Sequence, residues 1–306
     1  MRDSYFAFGN IAIDDLVFSD GTTAWAVPGG GATYAALGMA LWTGHAAVIA
    51  PLGADFPGDA FPALDFSLCR SVPRTKRNWG LYEVDGSRHF VSRTYSLPWD
   101  AFFTHARELD AGPFPFAHIG PMPLAHVAAL IDALRARGAH TISLDVHDKE
   151  LAAFGADAVL PMAERVDLFF PSRQDVAVLV PGASPLDALR TLRARLPNVP
   201  VIGVKADVDG VFVHARESDD IIAVPPAATA IVDPTGAGDA FCGGMLSGFA
   251  ERGDVLAGAL RGAVSASFAL AAIGPQALTS ATRPEAEARL ETSRQRVTRR
   301  PLRTRR

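Results

Sequence analysis

Nine residues, Asp233-Pro234-Thr235-Gly236-Ala237-Gly238-Asp239-Ala240-Phe241, set a carboxylate at the mouth of a glycine turn. Gly236 and Gly238 let the backbone lie close to a ligand. Phe241, Met245, Leu246 and Phe249 follow at helical spacing. A helix starting here turns the N–H groups of its first turn toward an anion, and its dipole adds to the attraction. Asp239 sits among those donors. Like charges repel, so an acid is badly placed to hold phosphate. It is well placed to take a proton from a hydroxyl that attacks phosphorus. Ile231 and Val232 read as the end of a short apolar strand leading into the turn. The plainer reading, a capped helix after a glycine turn, is disfavoured by the full nine-residue run.

The elements around this run alternate. Apolar runs of strand length occupy Tyr5 to Ile13, Ala46 to Leu52, Phe116 to Ile119, Thr141 to Leu144, Val166 to Phe170 and Val199 to Val204. Helical spacing covers Gly31 to Thr43 and Pro123 to Arg137, the second ending at Gly138. Such alternation predicts a mostly parallel sheet covered on both faces. It is broken where Asn78 to Val84 and Arg88 to Thr94 flank Asp85-Gly86, a hairpin signal, and where Val17-Phe18 and Ala24 to Val27 form another short pair. Small antiparallel strands inserted in an α/β chain often make a flap over the site.

The 306 residues are 49% hydrophobic and 20% charged, with a net charge of −4. This is the composition of a globular enzyme and gives no footing for a nucleic-acid or membrane surface. Two cysteines, Cys69 and Cys242, make no disulfide framework. No secretory pattern opens the chain, and a reducing cytoplasm is the expected setting. The uncharged span from Gly262 to Thr282 is broken at Gly274-Pro275 and reads as a buried helix. His89, His118, His126, His140, His147 and His214 show no H-x-x-x-H spacing, so no metal site is expected from them. Seven arginines among the last thirteen residues read as a solvated tail.

The run ending at Phe241 resembles the C-terminal signature of the ribokinase-like (PfkB) carbohydrate kinase family, D-T-x-G-A-G-D-x-F. The resemblance extends from Gly9 to about Gly274. It implies a three-layer α/β/α fold with a mostly parallel central sheet and a small β-strand lid. The expected organisation is one domain over residues 1–295, lid segments at about 15–28 and 72–98, and a disordered basic tail over 296–306. The implied activity is transfer of the γ-phosphoryl group of ATP, with Mg²⁺, to a hydroxyl of a sugar, nucleoside or cyclic polyol. Asp239 would be the catalytic base, and Gly236, Ala237 and Gly238 the anion hole.

Further positions follow from the same resemblance. Gly9 to Asp14 resembles the first strand and its terminal aspartate, which binds substrate hydroxyls; Asp15 is adjacent and could share the role. Pro28 to Ala36 resembles the N-terminal signature, placing Gly30, Gly31 and Tyr34 at the substrate. Tyr34 stands where many members carry Asn, which draws the expectation away from ribose and fructose. Asp55 reads as a structural helix cap. Ser172 and Asp175 fall on the N-x-x-E motif that orders magnesium through water, and a helix N-cap explains them as well. Lys205, Asp207 and Gly210 align with a turn along the nucleotide, joined there by Thr235. Asp207 replaces a glycine and is expected to alter that turn. Pro225, Pro226 and residues 263–267 would flank the adenine.

Asp233 lies where some relatives bind a monovalent cation such as K⁺. Arg74, Lys76, Arg77, Arg88 and Arg93 give the lid a basic bias, read mainly as solvated charge. Relatives often dimerise through the lid sheet, so a homodimer through that surface is the partner expectation. A non-catalytic nucleotide or polyol sensor on the same fold remains the alternative. A dinucleotide-binding dehydrogenase is excluded by the late position of the glycine turn.

Overall fold

The computed structural model describes residues 5–85, 87–93, 97–109, 112–146, 148–228 and 230–302. Gly86 of the hairpin turn, Thr94, His147 and the terminal residues 303–306 lie outside that description.

The strands are β1 (Tyr5–Phe8), β2 (Ala12–Val17), β3 (Thr23–Gly29), β4 (Ala46–Ile49), β5 (Pro51–Gly53), β6 (Leu64–Asp65), β7 (Arg70–Val72), β8 (Lys76–Tyr82), β9 (Arg88–Arg93), β10 (Phe116–Ile119), β11 (Thr141–Leu144), β12 (Leu168–Phe169), β13 (Val201–Lys205), β14 (Val211–Ala215), β15 (Asp220–Val224) and β16 (Thr298–Pro301). Ten form one sheet in the order β16-β15-β14-β13-β12-β11-β10-β1-β4-β6. Pairing is parallel from β13 to β6 and antiparallel from β13 to β16. The parallel strands read as nearly continuous apolar runs because helices cover both faces. One apolar cluster is built around Phe8, Ile119, Leu130 and Phe169, the other around Met39, Val48, Phe170 and Phe241. The three-layer arrangement and the mostly parallel sheet are as expected.

A second sheet, β3-β2-β8-β9, is the lid. Its strands come from the two segments that interrupt the alternation, and Glu83 N donates to Ser87 O at the β8–β9 turn. One boundary differs. The apolar run from Tyr5 to Ile13 is split: β1 ends at Phe8, and Ala12 onward belongs to the lid. Gly9 and Asn10 make the break, and Asn10 O accepts from Ala32 N at the start of the next helix. Asp14 therefore sits inside a lid strand rather than at the end of the first core strand.

Two other expectations are corrected. Ile231 and Val232 lie in no strand and are 60% and 52% exposed; the strand before the glycine turn is β15, which ends at Val224. Residues 298–301, expected to be part of a disordered tail, pair antiparallel with β15. The run Thr298-Arg299-Arg300-Pro301 carries no apolar signal, yet an edge strand exposed on both sides needs none. The uncharged span holds the end of the helix Val255–Ala269, as expected, and no helix among the described residues is long and apolar enough to cross a membrane.

Two helices fix the site. Gly31–Thr43 and Ala237–Arg252 pack so closely that a Cβ at Gly38 would lie 2.3 Å from Ala240 O, and one at Gly243 would lie 1.9 Å from Ala35 O. Only hydrogen fits at these crossings. Gly243→Ala is therefore expected to force the helices apart, lowering stability by about 1–3 kcal/mol or more. Chemical denaturation measures this; an unchanged midpoint contradicts the packing.

Candidate active site

The close crossing brings the N-termini of both helices to one cavity of about 540 Å³. Asn10, Gly30, Gly31, Tyr34, Thr235, Gly236 and Asp239 line it from the core side, and Asp14 lines it from the lid strand β2. Lys76, Asn78, Arg88, His89, Phe90 and Trp99 line it from the lid side. Its size suits a small polar molecule.

Gly236 caps the Ala237–Arg252 helix with φ 76°, a conformation that favours glycine. The ring of Tyr34 lies directly against it: a Cβ at Gly236 would come within 2.3 Å of Tyr34 Cγ. The amides of Gly236, Ala237 and Gly238 stand at the start of the Ala237–Arg252 helix, before its ladder of hydrogen bonds begins.

Asp239 occupies the first turn of the helix. Its Oδ1 is buried without a hydrogen-bond partner, and a Cβ at Gly31 would lie 2.7 Å from it. Burial, with Asp145 nearby, pushes this carboxyl up to about 6, and Lys205 partly offsets the rise. Asn at this position removes a charge that folding desolvates. Asp239→Asn should therefore stabilise the protein. The unfolded carboxyl ionises near pH 4 and the folded one near 6, so the gain should grow as pH rises through that window at about 1.4 kcal/mol per pH unit, then level off. Urea melts of both proteins across the window check this; a gain independent of pH contradicts the burial.

Behind the turn lies a pair that the sequence left half seen. Lys205, at the end of β13, is ion-paired with Asp145, and a Cβ at Gly238 would lie 3.3 Å from Lys205 Nζ. Burial opposes the Lys205 charge, but Asp145 outweighs it and holds the ammonium protonated. Lys205 is thus no solvated strand-end charge. Asp145 was missed; its signal was its place just after β11, at the same sheet edge as Lys205.

Ser172 caps the helix Arg173–Leu179 in a capping box with Asp175. Asp175 Oδ2 accepts from Ser172 N at 2.7 Å and Oγ at 2.6 Å, leaving Oδ1 buried and unpartnered. Burial and Asp145 push Asp175 up to about 6. Asp207 has φ 51°, the left-handed conformation that Asp tolerates better than most side chains, and Gly210 has φ 82°. Arg173 pairs with Asp207 at 3.1 Å and with Asp209. The turn keeps a left-handed residue where the missing glycine was expected to alter it.

On the lid, Asp14 accepts from Asn78 Nδ2 at 2.7 Å. Burial pushes Asp14 up to about 6 against the pull of Asn78 and Lys76. Asp15 points elsewhere and is used by the lid, accepting from Ala26 N at 2.8 Å and pairing with Arg93. Lys76 is buried, its Nζ 4.3 Å over the Trp99 ring, and burial lowers it to about 8. Lys76 is thus no solvated surface charge. Asp55 is structural but caps no helix: it accepts from Thr75 N at 2.8 Å and pairs with Arg77 at 3.2 Å.

Asp233 is buried and fully engaged. Oδ1 accepts from Tyr82 Oη at 2.8 Å and Thr235 N at 2.9 Å, and Oδ2 from Gly274 N at 3.1 Å. Tyr82 also meets Thr235 Oγ1 at 2.6 Å, and Arg88 donates to the same hydroxyl at 3.2 Å. These bonds latch the lid to the glycine turn. Tyr82, Asn78 and Trp99 escaped notice as site residues because local sequence pattern hides which side chains meet a distant element.

The pfkB family carbohydrate kinase profile matches residues 16–282, which include the glycine turn, Asp239 and most of the lid. The chain belongs to the pfkB family of carbohydrate kinases. This kinase is a phosphotransferase acting on an alcohol group of a sugar or nucleoside. It is 30% identical over 250 residues to a cytidine kinase of Thermococcus kodakarensis, covering 79% of this chain and 87% of that protein. Its fold is shared with a nucleoside kinase of Burkholderia thailandensis solved with inosine, at TM-score 0.71 and 21% identity, covering 94% of this chain and 97% of that one. It is shared also with a Vibrio cholerae fructokinase solved with fructose, ADP and calcium, at TM-score 0.75 and 19% identity, covering 94% and 100%.

The latch of this kinase gives a test. Tyr82→Phe removes a donor from the buried Asp233 and is expected to cost about 1 kcal/mol and to raise hydrogen exchange in residues 76–93. Unchanged exchange there contradicts the latch.

Proposed function

We propose that the kinase phosphorylates a nucleoside hydroxyl with ATP as donor. The observation that carries this reading is that Asp239, with an unpartnered carboxylate oxygen, shares one cavity with Asp14 and with an aromatic wall of Tyr34, Phe90 and Trp99. A carboxylate can accept from two neighbouring hydroxyls, as on a ribose, and aromatic side chains hold a flat base. The 30% identity with a cytidine kinase supports the same class.

In this reading Asp14 and Asn78 grip the sugar hydroxyls, and Gly30, Gly31 and Tyr34 shape the pocket floor. Asp239, ionised above about 6, takes the proton of the attacking hydroxyl. The amides of Gly236, Ala237 and Gly238 receive the transferring phosphoryl group, with the Lys205 charge behind them. Thr235, Lys205, Asp207 and Gly210 border the nucleotide. Asp175 Oδ1 and Asp145 offer carboxylate oxygens of the kind magnesium takes through water. Magnesium, when bound, supplies charge neutralisation on the donor phosphates. Lid closure, held by Tyr82, excludes water that would otherwise hydrolyse ATP. The sensor alternative, drawn from Ser172, Asp175 and Asp207, loses its ground: Asp175 keeps a free oxygen and Asp207 keeps the turn.

ADP release in a panel of nucleosides, sugars and inositols tests the acceptor. A nucleoside is expected to give the highest kcat/KM; preference for a free sugar or polyol contradicts the reading. Asp239→Asn should lower kcat by about a hundredfold or more with the nucleoside affinity little changed. Near-normal turnover would remove Asp239 from its role.

A further inference from the structure

A second constellation lies outside the cavity. Among the described residues, Asp100, His105 and His126 each bring one ligating atom within 4.8 Å of the others. His126 Nε2 contacts Asp100 Oδ1, and His105 Nε2 lies 3.3 Å from Asp100 Oδ2. The two imidazoles meet edge to face with centroids 4.4 Å apart. The spacing of histidines along the chain concealed this, because the three residues come from three elements: the turn Trp99–Phe102, the residue before the turn Ala106–Glu108, and the first turn of the helix Leu124–Ala136.

The scaffold holds the group in place. Phe102 and Phe103, which follow Asp100 in the chain, are buried in the core. Glu108 Oε2 accepts from His105 N at 3.2 Å, and Glu150 Oε2 accepts from Leu124 N at 3.0 Å. The side chains of His105 and His126 are 10% and 15% exposed, whereas that of Asp100 is 55% exposed. Both Nε2 atoms thus converge on one half-exposed carboxylate, which closes the group on its solvent side.

We propose that Asp100, His105 and His126 bind one divalent transition-metal ion of the zinc type. Two imidazole nitrogens and one carboxylate oxygen are a donor set for Zn²⁺ or Co²⁺, and three protein ligands leave a position for water. Mg²⁺, which prefers oxygen donors, fits poorly. The site would tie residues 97–109 to the helix Leu124–Ala136. Trp99, the neighbour of Asp100, lies over Lys76 in the cavity wall, so the ion would brace that wall from outside. Imidazoles bind metal in the neutral form, so affinity should fall with acid.

The test uses the full chain, without a histidine tag, stripped by chelator and then loaded with Zn²⁺, Co²⁺ or Mg²⁺ before desalting. Wild type is expected to retain about one Zn²⁺ per chain with a raised Tm, to give Co²⁺ visible absorption, and to gain neither retention nor stability from Mg²⁺ at the same concentration. Asp100→Asn and His126→Ala should each bind Zn²⁺ at least about tenfold more weakly while their metal-free forms stay folded by circular dichroism. Asp100→Asn alters a half-exposed side chain, so it serves if His126→Ala fails to fold. Failure of wild type to retain Zn²⁺, or equal retention by Asp100→Asn, overturns the proposal and leaves Asp100 simply accepting from two ring N–H groups.

Discussion

The site depends on a contact in which there is no side chain. Gly38 and Gly243 let the helices Gly31–Thr43 and Ala237–Arg252 meet backbone to backbone. That crossing sets two helix N-termini side by side, and both dipoles favour negative charge in the same place. Asp239 is driven into this wedge against Gly31. Everything else in the cavity is arranged around the anion-seeking corner so formed. The lid supplies Asp14, Lys76 and Asn78 from above, and the sheet edge supplies Lys205, Asp145 and Asp175 from behind.

Electrostatics makes this corner costly to fold. Asp14, Asp175 and Asp239 are all pushed up to about 6, chiefly by burial. A molecule selected for stability alone would not desolvate three carboxyls this way. Lys205 relieves part of the repulsion, yet it is itself committed to Asp145. The resulting field suits a reaction in which a hydroxyl loses a proton while a phosphoryl group with its own negative charge arrives. An acid near neutrality in its protonation balance can accept that proton at physiological pH, whereas an exposed aspartate is a weaker base.

Much of this was legible in the chain. The glycine turn, its helix and Asp239 could be read because local backbone chemistry and helical spacing are properties of adjacent residues. The helix Gly31–Thr43 was read to the residue for the same reason. The lid was visible as two interruptions of an alternating pattern. What could not be read was long-range. Nothing near Tyr82 signals a bond to Asp233, 151 residues away. Asp145 became meaningful only when β11 and β13 delivered it to Lys205. Ile231 and Val232 looked like a strand because they are apolar, but no neighbouring strand offers them a ladder. Residues 298–301 looked like a tail because arginines mask an edge strand whose pairing is purely backbone.

The central claim is that a desolvated carboxyl between two helix starts is the proton acceptor. The dependence of kcat/KM for the acceptor on pH, at saturating magnesium and ATP, tests it most directly. The account predicts a plateau above about pH 6 and a decline of about tenfold or more per pH unit below it, because Asp14 and Asp175 lose their charge in the same range as Asp239. A rate that stays level well below that point, down toward an ordinary aspartate near 4, would contradict it.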